Sequence, residues 1–263
     1  MWRHLSIFIL LFALSASSAL AEDAQLAALF RENNVNGTLV LSLLDGVTNY
    51  THNDARAATP LLPASTFKIP NTLIALDAAV IKENDTLKWD GTNRSVAAWN
   101  KDQTLESAFK SSCVWFYQEL ARCIGAARYE SQLARIGYGN AKPGPEPTSF
   151  WLEGDLRISA LEQVAFLKRL YRRELPFKSS SYELLQRIMI VEQTPAYTLR
   201  AKTGWAGYGN QAAPQIGWYV GYLETNGSVW FFALNMEMTK PADAGLRQKL
   251  VMDVLKQKAS MYR

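Results

Sequence analysis

The sequence predicts an α+β fold of two lobes. An antiparallel sheet is assembled from strands at both ends of the chain and flanked by helices, and a helical lobe lies between them. Three observations predict this. Two segments of strand character near the N-terminus are joined by Asp45-Gly46. Three more, rich in aromatic and β-branched residues, fill the C-terminal third, and Asn226-Gly227 between the last two is a strong hairpin signal. Long stretches of helical periodicity separate the two groups, with no linker that would make them an independent domain.

The elements follow in order. Residues 1–21 combine Arg3, an apolar run over residues 5–14 and Ala19-Leu20-Ala21, a small-x-small cleavage pattern. This predicts a secretory signal peptide, the apolar run being too short to span a bilayer. A single exported domain, residues 22–263, is expected to remain. A short helix is predicted over 24–32, with Leu26, Leu29 and Phe30 on one face. Strands at 38–44 and 47–53 form the first hairpin. Pro60 and Pro63 bracket a loop, and a helix is predicted from 65 to 80. Residues 85–103 read as irregular and 104–137 as largely helical with a break near Gly125. Pro143, Pro145 and Pro147 make 138–156 a loop. Helices are predicted over 159–174 and 179–191, strands over 197–203, 216–224 and 229–236, and a closing helix over 243–260.

Composition narrows the chemistry. At 48% hydrophobic and 20% charged, the chain can bury enough surface to fold. A net charge of +4 over 263 residues is too dilute for a nucleic-acid binder. Cys113 and Cys123 are predicted on one helix, about 15 Å apart, beyond disulfide reach, and both are expected as buried thiols. The only histidine after residue 21 is His52, in a polar hairpin segment that reads as surface. Zinc sites built on several histidines are therefore excluded, and no metal is expected. A nucleophilic enzyme of this composition would use lysine or a carboxylate as its base.

Serine with lysine three residues later is the pairing to seek, since positions i and i+3 share a helix face. About one such pair is expected by chance in a chain this long. Two occur: Ser65-Thr66-Phe67-Lys68 and Ser107-Ala108-Phe109-Lys110. Ser65 follows Pro63-Ala64, and Pro70 marks a helix start, so Ser65 falls where helix N–H groups are unpaired. Ser107 falls inside a helical stretch and reads as an ordinary surface pair with Lys110. Lys202-Thr203-Gly204-Trp205 ends a predicted strand. There the Trp205 backbone N–H can face an oxyanion, Lys202 and Thr203 can hold an anionic group, and Gly204 permits close backbone approach. Ser112-Cys113-Val114 is expected to begin a helix and to offer a hydroxyl as proton relay.

In this order, the three motifs resemble those of the penicillin-recognising serine enzymes, and among these the class D, oxacillinase-type β-lactamases. Further matching stretches are Tyr138-Gly139-Asn140, Phe150-Trp151-Leu152-Glu153-Gly154, Gly217-Trp218-Tyr219-Val220-Gly221, Asn235-Met236 and Arg247. The similarity spans nearly the whole chain after residue 21. It implies a β-lactamase/transpeptidase-like fold, hydrolysis of β-lactams and a periplasmic location. Ser65 would be the acylated nucleophile. Lys68 would be N-carboxylated by carbon dioxide and act as general base, with Trp151 binding the carbamate and Phe67, Val114 and Leu152 keeping it dry. Ser112 would relay a proton. Lys202, Thr203 and Arg247 would bind the substrate carboxylate, and the backbone N–H groups of Ser65 and Trp205 would form the oxyanion hole. No bound cofactor is implied beyond carbon dioxide or bicarbonate. The partners implied are small β-lactams, with no nucleic acid, no membrane after signal cleavage, and a monomer or homodimer. Two alternatives share the motifs: a β-lactam sensor that is acylated without turnover, and a peptidoglycan transpeptidase. The connection from 205 to 217, long for a hairpin, is expected to border the site.

Overall fold

A computed structural model describes residues 22–208 and 215–259; the segment read as a signal peptide lies outside them. The chain opens with α1 (Ala24–Glu32), β1 (Gly37–Leu43), β2 (Asn49–His52) and α2 (Asp54–Ala57). A 3-10 turn (Ala64–Phe67) leads into α3 (Lys68–Asp77). A small ribbon, β3 (Thr86–Leu87) with β4 (Gln103–Thr104), precedes α4 (Leu105–Lys110), α5 (Val114–Ile124) and α6 (Ala126–Ile136). A loop carries the chain to α7 (Ala160–Tyr171) and α8 (Ser179–Ile188). Then come β5 (Ile190–Gln193), β6 (Tyr197–Ala206), β7 (Ile216–Thr225), β8 (Val229–Glu237) and α9 (Asp243–Lys258).

The main sheet runs β2-β1-β8-β7-β6-β5, antiparallel throughout. The strands from the two chain ends meet at β1 and β8, with Leu39 opposite Leu234 and Leu41 opposite Phe232. Both faces of the sheet are covered, so its central strands are buried on both sides rather than alternating. One face packs Leu39, Tyr219, Leu223 and Leu234 against Leu26 and Phe30 of α1 and Leu250 and Val254 of α9. The other packs Val40, Trp218, Val220 and Phe231 against the helical lobe, through Leu167 and Leu170 of α7 and the core of α3, α5 and α6. None of the described helices is long and apolar enough to cross a membrane.

Several sequence expectations change. The sheet gains a sixth strand, because Ile190-Val191 continues an apolar helical pattern yet pairs with β6 across a bulge. The stretch expected as one helix up to Gly125 breaks at Ser111–Cys113. Ser112 adopts a left-handed φ of 57°, so it precedes α5 instead of beginning it. Cys113 is buried as expected, whereas Cys123 is exposed near the end of α5. Both are free thiols. His52 is half-buried rather than a surface residue: its ring packs on Phe30 and its Nδ1 lies 2.6 Å from Glu22.

Candidate active site

The site forms where the 3-10 turn at Ser65 meets β6. Ser65 sits in that turn, not in the α-helix proper, and Lys68 is the first residue of α3. The turn is fixed from several sides. Ala64 takes a left-handed φ of 47° and donates its N–H to the Trp151 carbonyl at 2.9 Å. Thr66 Oγ1 donates to Pro63 O at 2.7 Å and accepts from Gln163 Nε2 at 2.9 Å. The indole of Trp218 donates to Leu62 O at 2.9 Å, tying the loop before the turn to β7. A non-glycine residue held in the left-handed region beside the nucleophile is the kind of local strain that surrounding contacts must enforce. Gly204 of β6 runs against the same turn: a Cβ there would meet Pro63 O at 3.0 Å and Thr66 Cγ2 at 3.1 Å. This close approach brings the strand carrying Lys202-Thr203-Gly204-Trp205 beside Ser65.

Lys68 is fully buried, and its Nζ lies 3.0 Å from Ser65 Oγ. Burial strips the ammonium of water and pulls the amine from 10.5 down to about 7, only partly offset by the neighbouring Cys113 thiol. Near neutrality much of it is therefore a free base. Phe67 packs beneath, among Tyr129, Tyr138, Phe150 and Trp151. The Tyr117 ring lies 4.9 Å from Lys68 Nζ, and its hydroxyl is spent on Thr72 at 2.8 Å.

Trp151 is fully buried, its ring stacked on Phe67 at 5.6 Å, and its Nε1–H has no hydrogen-bond partner among the described residues. An orphaned donor of this kind costs stability unless something accepts from it. A buried amine next in sequence to Phe67, and an unsatisfied indole N–H on the ring stacked against Phe67, fit a carbamate on Lys68, since only the neutral amine reacts with carbon dioxide. Val114 and Leu152 are half-buried on the cleft wall, so the apolar lining is tight at Phe67 and looser toward the opening.

Ser112, between α4 and α5, accepts at its Oγ a hydrogen bond from Lys202 Nζ, which also donates to Thr203 O at 3.1 Å. Lys202 is buried, and desolvation together with the charges of Lys68 and Arg247 holds its amine well below the usual lysine range. Arg247 of α9 donates from Nη1 to Gly204 O at 2.6 Å and stacks over Trp205 at 5.6 Å. Burial lowers its guanidinium to about 10. Ser65, Ser112, Val114, Leu152, Thr203, Gly204, Trp205 and Arg247 line one cavity of about 560 Å³, a volume suited to a small molecule. Lys68 and Phe67 lie buried beneath it, and Lys202 lies beside it, bonded to Ser112 and Thr203.

Ser107 is elsewhere. It is the third residue of α4 and closes a capping box with Thr104, while Lys110 pairs with Glu106 rather than with Ser107. His52 lies on β2, at the opposite edge region of the sheet from β6. The connection after Trp205 is shorter than the sequence suggests, because β6 runs to Ala206 and β7 starts at Ile216. Gly207 and Tyr208 line the cleft, and residues 209–214 lie outside the described residues. The sequence reading did not single out Tyr117, Trp99 and Gln163. Tyr117 follows Cys113 by one helical turn, a spacing that could have drawn attention to it.

The chain matches the family model for the penicillin-binding protein transpeptidase domain over residues 28–256. It is 44% identical to β-lactamase OXA-48 of Klebsiella pneumoniae over 237 residues, covering 90% of this chain and 88% of that protein. It is 35% identical to β-lactamase OXA-10 of Pseudomonas aeruginosa over 252 residues, 94% of this chain and 95% of that one. Among solved structures, the class D β-lactamase YbXI from Nostoc superposes with a TM-score of 0.84 at 44% identity, covering 88% of this chain and 97% of that chain. The class D enzyme FUS-1 (OXA-85) of Fusobacterium nucleatum gives 0.87 at 34% identity, with 92% and 100% covered. A sheet closed from both chain ends, a serine–lysine turn set against β6 and relatives of this similarity lead to one assignment: the chain belongs to the class D β-lactamase family, within the penicillin-binding transpeptidase fold.

Proposed function

We propose that the chain hydrolyses the β-lactam amide through an acyl-enzyme on Ser65, with N-carboxylated Lys68 as general base. As a serine β-lactamase hydrolase it acts on β-lactams, and the activity confers resistance to them. The observation that carries the finer reading is the buried amine 3.0 Å from Ser65 Oγ, together with the unpartnered indole N–H of Trp151, whose ring stacks on the adjoining Phe67.

Ser65 Oγ attacks the lactam carbonyl carbon, and the backbone N–H groups of Ser65 and Trp205 face the oxygen that becomes negative. The carbon–nitrogen bond opens, and Ser112 passes a proton to the departing nitrogen, with Lys202 bonded to its hydroxyl. Thr203, Lys202 and Arg247 hold the substrate carboxylate. Trp151 Nε1 would hold a carbamate on Lys68, with Phe67, Val114 and Leu152 as its apolar walls. When present, the carbamate supplies oxygens able to take the proton from Ser65 and later from the hydrolytic water. Residues 1–21 act as a signal peptide, and the single domain that remains, residues 22–263, works in the periplasm as a monomer or homodimer.

Carbon-13 NMR with labelled bicarbonate at neutral pH tests the base. A carbamate resonance in the wild type that is absent from Lys68→Ala supports the proposal, and full turnover in decarbonated buffer would refute it. Release of one slow equivalent from a chromogenic cephalosporin, instead of many, would point to the sensor alternative.

A further inference from the structure

The cleft wall carries charges of both signs, Arg247 and Glu153, and the proposed chemistry uses only the first. On the sheet side, Thr203 and Arg247 face the cavity, backed by Lys202. The loop that supplies Trp151, held to the Ser65 turn through the Ala64 N–H, continues into Leu152 and Glu153, which line the same cavity. Glu153 is exposed, and among the described residues no Lys, Arg or His forms an ion pair with it. Trp99 lines the same cavity, as does Tyr208, which is 62% exposed and set edge-on to Trp205 at 5.0 Å.

A β-lactam bicycle carries its ring carboxylate and its acylamino side chain at opposite ends. With the carboxylate at Thr203 and Arg247 and the carbonyl at Ser65, the side chain would occupy the rest of the cavity, whose wall includes Leu152 and Glu153. We propose that Glu153 makes this cleft selective for β-lactams whose acyl side chain carries a positive charge, an ammonium group above all, over those carrying a second carboxylate. The carboxylate attracts the ammonium, and the aromatic rings of partly buried Trp99 and exposed Tyr208 on the cleft wall offer faces that tolerate a cation. A second carboxylate in the same position meets like charge. The selectivity rests on the β-lactamase reading above and adds a substrate class to it.

The test uses three penicillins with one phenylacetyl skeleton whose α-carbon bears hydrogen, an ammonium or a carboxylate. Assays run with saturating bicarbonate, and each enzyme's kcat/KM values are divided by its own value for the neutral compound. This removes any general effect of a substitution on folding or chemistry. The wild type is expected to favour the ammonium compound over the carboxylate compound. Glu153→Gln should cut that preference by about threefold and Glu153→Lys by about tenfold, the scale of exposed charge pairs. Glu153→Asp should retain most of it, and added salt should weaken it in the wild type and in Glu153→Asp but not in Glu153→Gln. Unchanged ratios in both Glu153→Gln and Glu153→Lys would overturn the proposal. If the wild type turned over none of the three compounds, the β-lactamase reading itself would fail and the proposal with it.

Discussion

Replacing Lys68 by Met should make the protein more stable while destroying its turnover. The wild-type amine is fully buried and falls from 10.5 to about 7. An unfolded chain therefore binds a proton at Lys68 that the folded chain gives up between those two values. Stability contributed by this group rises with pH across that window, and below pH 7 the full cost applies. At 1.36 kcal/mol per pH unit the cost is about 5 kcal/mol in acid and about 4 kcal/mol at pH 7. Loss of the bond to Ser65 Oγ returns about 1 kcal/mol, so Lys68→Met should gain about 3 kcal/mol at pH 7. The gain should fade as pH approaches 10.5. Urea titrations of both proteins in decarbonated buffer, from pH 6 to 10, measure the difference; distant titrating groups cancel, whereas Lys202 feels the Lys68 charge and contributes to it. Parallel curves, or a Met variant less stable at pH 7, would refute the reasoning.

Ser65→Ala should abolish both turnover and the covalent penicillin adduct seen by intact-mass spectrometry. Ser107→Ala should keep activity within a few-fold and lose only about 1 kcal/mol of stability through its capping box. Trp151→Phe keeps the stack on Phe67 but removes the buried indole donor, so its activity in bicarbonate titrations should half-saturate at higher bicarbonate than the wild type. Gly139→Ala should cost about 2 kcal/mol or more in denaturant titrations, because its φ is 53° and a Cβ would collide with the Arg157 carbonyl.

Much of this site was readable from spacing alone. Ser65 and Lys68 sit one turn apart wherever a helix begins, and Lys202 to Trp205 stand in order along one strand whatever packs against them. Position relative to Pro63 and Pro70 was enough to prefer Ser65 over Ser107. What spacing could not reveal was the backbone between regular elements. Ser111-Ser112-Cys113 contains no glycine or proline to announce a left-handed residue, so α4 and α5 read as one helix. The short strand β5 was hidden because Ile188 to Val191 satisfies a helical stripe and an edge strand equally well. Half-burial of His52 depends on α1 folding back so that Phe30 meets the imidazole, a contact between segments that no local pattern encodes. Glu153 was visible in the motif Trp151-Leu152-Glu153, but its placement on the cleft wall needs the loop's path across the Ser65 turn.

The junction of β1 with β8 has a kinetic consequence. Gly37 pairs with Met236, and Leu43 with Trp230, so the centre of the sheet closes a loop spanning most of the polypeptide. Such closure is entropically expensive until the contacts it permits are made, and proteins dominated by distant pairings fold slowly. The serine–lysine turn belongs to the early half of the chain and β6 to the late half. The nucleophile therefore gains its partner strand only late in synthesis, with β7, β8 and α9 still to follow. During that interval β1 presents an unpaired, apolar edge, the surface on which misassembly begins. Conditions that delay docking of β8 onto β1 should lower the yield of active protein without changing the rate constants of the molecules that do mature.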